Sequence, residues 1–207
     1  MKISINNKKG WDINPALFFI LYNMAKTCLN KISGNILQDC AITPVGVKDI
    51  YLMYIEDVTL SPNSGRTTLT SVAFVEGARA YRVEGYKQNI RVTSSLRSMD
   101  VSTKLDISVS FKVPRDMIQT FDGVAQGYRT VRPLLAGRFY VLVDYVGGGA
   151  SVLLGDTSPL EVTAFDFDSN AGAGLATITL GAPEGSAGNY FLHVSASARK
   201  TIISKSV

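Results

Sequence analysis

Four features of this 207-residue chain could do chemistry: a single histidine, two cysteines, an aspartate-rich turn and a run of three glycines. His193 stands in Y-F-L-H-V-S, on the strand face opposite Tyr190, Leu192 and Val194. A histidine acts as a catalytic base only when it is held beside a nucleophile and oriented by a third group. No neighbouring residue marks such an arrangement, so a surface or inter-subunit histidine is expected. Asp166, Asp168 and Asn170 open like a calcium loop, D-x-D-x-N. Such a loop needs glycine at its sixth position and glutamate at its twelfth, for the sharp turn and the bidentate ligand. Here those positions hold Ala171 and Thr177. A turn whose Asp and Asn side chains bond to the backbone is the better reading. Gly147-Gly148-Gly149 lacks the later glycine and the lysine of a phosphate loop, and reads as a hairpin turn. Cys28 and Cys40 have no C-x-x-C spacing, and one histidine cannot complete a zinc site with them. They are expected to be free, buried thiols, although their spacing does not forbid a bridge. The sequence thus points away from an enzyme, with no catalytic, cofactor or metal residues to assign.

The element that must position everything else is Val101 to Val113, V-S-T-K-L-D-I-S-V-S-F-K-V. Its odd positions are apolar or Thr, whereas Ser102, Lys104, Asp106, Ser108, Ser110 and Lys112 occupy the even ones. Strict alternation marks a strand with one buried and one wet face. Thirteen residues at about 3.4 Å each span roughly 44 Å, well beyond an ordinary strand. Pro114 ends the run, because proline cannot donate to the ladder.

The flanking chain supports a mainly β protein, a β-barrel or two-sheet sandwich with long antiparallel strands. Residues 1–34 read as an N-terminal basic arm and α-helix, the helix running from about Pro15 to Ile32. Residues 35–207 read as a single all-β domain, with one short helix near 116–121 and a looped segment from Gly127 to Gly137. Strands are expected over Val47 to Leu60, Thr67 to Val75, Ala80 to Glu84, Ile90 to Thr93, Ser151 to Leu154, Leu160 to Phe167, Ala176 to Leu180 and Tyr190 to Ser195. Phe139 to Asp144 is almost continuously apolar, as in a central strand covered on both faces. The apolar run Ala16 to Tyr22 is far shorter than the ~20 residues needed to span a bilayer. A soluble protein made in a cytoplasm is therefore expected.

The net charge of +4 is modest but unevenly laid out. Arg66 to Arg138 holds twelve Lys/Arg against six acids, whereas Phe139 to Ala198 holds six acids and no base. Unlike patches on identical subunits can meet head to tail. Arg129, Arg132 and Arg138 against Asp156, Glu161 and Glu184 are the candidate inter-subunit charges. The even face of the long strand is nearly neutral and lacks aromatics, unlike a nucleic-acid-binding groove.

Several segments, in order, resemble the tail tube proteins of bacterial viruses, a family related in fold to the ring-forming tube protein of type VI secretion. They are G-V-K-D-I-Y-L leading into E-D-V-T-L; F-V-E-G-A-R-A-Y-R-V-E-G-Y; the long strand ending S-V-S-F-K-V-P-R; R-F-Y-V-L-V-D-Y-V-G with L-L-G; and S-P-L-E-V-T-A-F-D-F-D-S-N-A-G-A-G-L-A-T-I-T-L-G-A-P-E. Together they cover about residues 36–195.

The resemblance implies a virion structural protein in the tail, assembled in the host cytoplasm, whose subunits form stacked hexameric rings. It implies homo-oligomeric contacts, contacts with other virion tail proteins, transient sequence-independent DNA passage through a lumen, and no membrane. Ser102, Lys104, Asp106, Ser108, Ser110 and Lys112 are then the candidate lumen-facing residues. The alternatives are another phage ring, a head-tail connector, a head or fibre protein, or a carbohydrate- or surface-binding β-sandwich.

Overall fold

The computed structural model describes residues 46–85, 89–98, 103–114, 133–146, 151–167, 175–186 and 188–206, all within the unit Thr43–Val207. The long alternating segment is a strand, β6 (Thr103–Pro114), and its two faces separate as the pattern requires. Ile107, Val109, Phe111 and Val113 are buried, whereas Lys104, Asp106, Ser108, Ser110 and Lys112 keep contact with solvent. The expected arm, the helix over 15–32, both cysteines, the helix near 116–121 and the triple-glycine turn lie outside the described residues.

The chain is mainly β. The other strands are β1 (Val47–Tyr54), β2 (Val58–Pro62), β3 (Thr68–Phe74), β4 (Tyr81–Glu84), β5 (Ile90–Ser98), β7 (Arg138–Tyr145), β8 (Val152–Leu154), β9 (Leu160–Phe167), β10 (Leu175–Gly181) and β11 (Leu192–Val194). A helix, α1 (Ala196–Ser204), follows β11. The strands join in the order β2-β3-β11-β8-β7-β9-β10-β6-β5, with β1 and β4 attached beside β7. Among the described residues every pairing of these strands is antiparallel except β11 with β3, and an isolated parallel bridge joins Ala80 to Ser206.

The sheet bends so that the odd face of β6 packs toward β1 and β7. One core cluster joins Ile107, Val109 and Phe111 of β6 and Ile178 and Leu180 of β10 to Ile50, Leu52, Val141 and Val143 of β1 and β7. The alternate residues Tyr51, Met53 and Leu142 feed a second cluster, closed by Leu69, Leu192, Ala198 and Ile202. Residues from both faces of β7 are thus buried, which is why Phe139 to Asp144 carries no polar alternation.

The sheet does not close into a barrel, correcting that part of the sequence reading. β7 and β9 share only two paired positions, Arg138 with Glu161 and Phe139 with Leu160, and then diverge. Among the described residues β5 pairs with β6 alone and forms one end of the strand order. Three local differences also appear. The expected strand from Val47 to Leu60 is broken by a 3-10 turn at Ile55–Asp57. There Tyr54 packs on Phe139 and Tyr81, while the Asp57 carbonyl accepts a hydrogen bond from the Val75 amide. Residues 133–136, expected as loop, are helical. Finally, the last expected strand shortens to Leu192–Val194, because Ser195 caps α1 by accepting a hydrogen bond from the Ala198 amide.

Candidate functional site

The even face of β6 belongs to a polar wall four strands wide. Its register on β5 sets Lys104 opposite Arg97, Asp106 opposite Ser95, Ser108 opposite Thr93 and Ser110 opposite Arg91. On the other side, Lys112, Ser110 and Ser108 face Thr177, Thr179 and Gly181 of β10. These in turn face Asp166, Ala164 and Glu161 of β9. Because paired residues of an antiparallel sheet share a face, the register gathers hydroxyls from three strands into one continuous surface.

The wall neutralises most of its central charge internally. Asp106 accepts Arg97 Nε at 2.9 Å and lies 3.3 Å from Lys104 Nζ. Lys104, whose side chain is only 14% exposed, also donates to the Ser186 carbonyl at 3.1 Å. Thr93 and Ser108 share a hydroxyl–hydroxyl hydrogen bond of 2.7 Å, and Thr163 donates to the Thr179 carbonyl. Lys104 is drawn into this knot while Arg97 stays exposed, and between this end and Arg91 and Lys112 the wall presents short hydroxyls to solvent.

A groove of about 640 Å³ runs along this wall near the β5–β6 connection. Its floor includes Thr93, Ser95, Asp106 and Ser108, and its far side is formed by Glu161, Thr163 and Glu184. The 182–189 segment bounds this end of β6. The Asn189 amide donates to the Leu105 carbonyl, and a side chain at Gly188 would come within 2.9 Å of the Leu105 backbone.

Of the candidate lumen-facing residues, Lys104, Asp106, Ser108, Ser110 and Lys112 share this face, while Ser102 lies outside the described residues. Of the candidate inter-subunit charges, Arg129 and Arg132 also lie outside. Arg138 and Glu161 are cross-strand neighbours within one chain. Asp156 is taken by Arg66 of the same chain at 2.6 Å, tying the β2–β3 turn to the loop after β8. Glu161 and Glu184 line the groove. His193 is exposed on β11, between β3 and β8. Asp166 is an exposed residue of β9, not a member of a turn.

Sequence reasoning missed Ser95 and Arg97 by ending that strand at Thr93, and did not single out Arg91 and Thr93 within it as wall residues. Their signal was present: I-R-V-T-S-S-L-R alternates at all but one position. It missed Thr177 and Thr179 as wall residues, although T-I-T is the same two-residue pattern.

Comparison with protein-family models, with curated proteins and with solved structures finds no match to this chain.

Proposed function

We propose that this chain is a self-assembling structural subunit of the phage tail tube kind, whose copies form rings that stack into a tube with the hydroxyl wall lining its channel. The observation that carries this reading is the four-stranded unit β9-β10-β6-β5, polar on one face and open at both edges. Among the described residues the outer edge of β5 has no strand partner, and Val162–Phe167 of β9 pair with β10 alone. The open stretches carry opposite charge on the polar face: Arg91 and Arg97 on β5, Asp166 on β9. An exposed sheet edge is a template for another strand. Strand direction alternates across the unit, so β5 of one copy meeting β9 of the next continues the antiparallel pattern. A head-to-tail contact of this kind generates a ring when the rotation closes.

The chemistry of the wall suits a conduit. Sequence-independent affinity for DNA comes from cations neutralising phosphates. Here Arg97 and Lys104 are tied to Asp106, and the surface between them and the Arg91–Lys112 end is made of Ser and Thr. DNA passes such a surface without being held. The partners in this reading are further copies of the chain, in hexameric rings, and other virion tail proteins. The process takes place in the virion, with no cofactor and no membrane.

Electron microscopy of the purified protein over rising concentration tests the reading. Rings with an open centre, alone or stacked, are expected; a monodisperse monomer at every concentration would overturn it.

A further inference from the structure

The last helix is held to the sheet by few contacts. With nine residues, α1 is too short to persist as a helix without tertiary support. Of its side chains only Ala198 and Ile202 are fully buried, where they join Tyr51, Met53, Leu142 and Leu192 in the second core cluster. At its ends, the Ser195 hydroxyl donates to the Thr70 carbonyl and the Ala80 amide donates to the Lys205 carbonyl, each at 3.0 Å. Between these ends Arg199 donates to both carboxylate oxygens of Asp144 on β7, the only ion pair that α1 makes among the described residues. The groups around Asp144 offer no substitute for Arg199. Asp49, its cross-strand partner on β1, is served by Arg82 of β4 and by the Gly85 amide, and Arg82 also lies 3.6 Å from Glu84. Lys48 of β1 is exposed and acts on Asp144 at longer range. The Ser151 hydroxyl donates to Asp144, and the Tyr51 phenol, pushed up by burial, stays neutral.

We propose that α1 is an acid-released lid: protonation of Asp144 unfastens Arg199, and the helix lifts while the strands stay paired, uncovering the apolar face of Tyr51, Met53, Leu142 and Leu192. A neutral carboxyl group forfeits the charge-assisted part of both bonds to the guanidinium. Two buried apolar side chains and the end contacts then hold α1, and elements with so few buried contacts open before the fold as a whole. The main core cluster, which joins β6 and β10 to β1 and β7, contains no carboxylate, so its packing does not share the dependence on acid. Burial raises the Asp144 carboxyl, but the hydrogen bonds from Arg199 and Ser151 outweigh it and hold it below the ordinary value. The clasp therefore contributes fully above that ordinary value, near ~4, and is lost as pH falls through the lower value of the closed state. Opening takes up a proton, which is why acid favours it.

Amide hydrogen exchange on dilute full-length protein, expressed as protection relative to the unfolded-chain rate at each pH, tests the lid in wild type and in Asp144→Asn. Asparagine keeps the size of the side chain and can still accept from Ser151, but it carries no charge at any pH. In wild type, protection over 199–205 is expected to fall roughly tenfold or more between about pH 7 and about pH 3, while β6 and β10 keep theirs. In Asp144→Asn, protection of α1 is expected to be low already at about pH 7 and flat with pH. Fluorescence of the dye ANS, which binds exposed apolar surface, should rise with the loss in both proteins. Wild-type protection of α1 in Asp144→Asn at neutral pH, or a pH dependence as steep in the variant as in wild type, overturns the proposal. So does loss of α1 and β6 protection together, in either protein, because α1 would then be part of one cooperative unit and no separate lid.

Discussion

Arg199 of α1 grips Asp144 of β7 with two hydrogen bonds, Nε to Oδ1 at 2.9 Å and Nη2 to Oδ2 at 2.8 Å. Asp144 is 1% exposed and also accepts the Ser151 hydroxyl at 2.8 Å. It stands directly opposite Asp49 on β1, another buried carboxylate, which Arg82 of β4 neutralises at 3.1 Å. Two carboxylates at paired sheet positions are tolerated because each has its own guanidinium. One of these pairs fastens the last helix to the central strand.

Arg199→Met should therefore destabilise the fold at neutral pH by leaving Asp144 buried and unpaired. The arginine side chain is 38% exposed, so the cost should fall between exposed and buried pairs, roughly 2–4 kcal/mol. The pH dependence gives the sharper test. Burial pushes the Asp144 carboxyl up, but the Arg199 and Ser151 hydrogen bonds outweigh it and hold its pKa below the ordinary value. A depressed folded pKa stabilises above the unfolded pKa, and that stability is lost as pH falls through the folded value. In Arg199→Met, burial dominates and the folded pKa rises. The gap between variant and wild type should thus be widest near pH 7 and close as pH falls across the carboxylate range around ~4. Urea unfolding at both pH values measures it, and an equal gap at both would show that Asp144 is not the group involved.

Ile107 and Ser108 are chain neighbours on opposite faces of β6. Ile107, 2% exposed, packs in the main core, whereas Ser108 meets water and Thr93. Ile107→Lys should cost several kcal/mol, roughly 3–5, by placing an unpaired charge in the core. Ser108→Lys loses one hydroxyl hydrogen bond and should cost only about 1 kcal/mol. Thermal melts of the two variants decide the matter; matching melting temperatures would contradict the two-faced strand.

Asn189 is fully enclosed and clamps the backbone of Ser158 from both sides. Its Nδ2 donates to the Ser158 carbonyl at 2.9 Å, and its Oδ1 accepts the Ser158 amide at 3.1 Å. Asn189→Ala should destabilise by roughly 2–3 kcal/mol, because it removes both bonds from buried backbone groups. Asn189→Asp should also be costly at neutral pH, since a carboxylate accepts the amide but cannot donate to the carbonyl. Chemical denaturation measures both; a change under about 0.5 kcal/mol for Asn189→Ala would mean the clamp is replaceable.

What was legible in the sequence were patterns local to one strand. The alternation of β6 and the doubly apolar β7 each reflect burial of their own side chains, so period and composition display them directly. The broken Val47–Leu60 segment was not legible, because its 3-10 turn depends on Phe139 and Tyr81, both distant in sequence. The final helix carried a weak local signal, Ser195 followed by Ala198 and Ile202 at helical spacing, inside a serine-rich stretch that reads equally well as strand or loop. The charge pattern was legible as composition but not as pairing: Arg66 with Asp156, and Arg97 with Asp106, are set by register and loop placement.

The central claim is that copies of this chain join through the open edges of β5 and β9. Amide hydrogen exchange measured on dilute and on assembled protein tests it most directly, because edge amides exchange until a strand pairs with them. The account predicts slower exchange on assembly over 90–98 and 162–167, with the edge strand β2 unchanged. Assembly without added protection at those two edges, or with protection confined to β2, would contradict it.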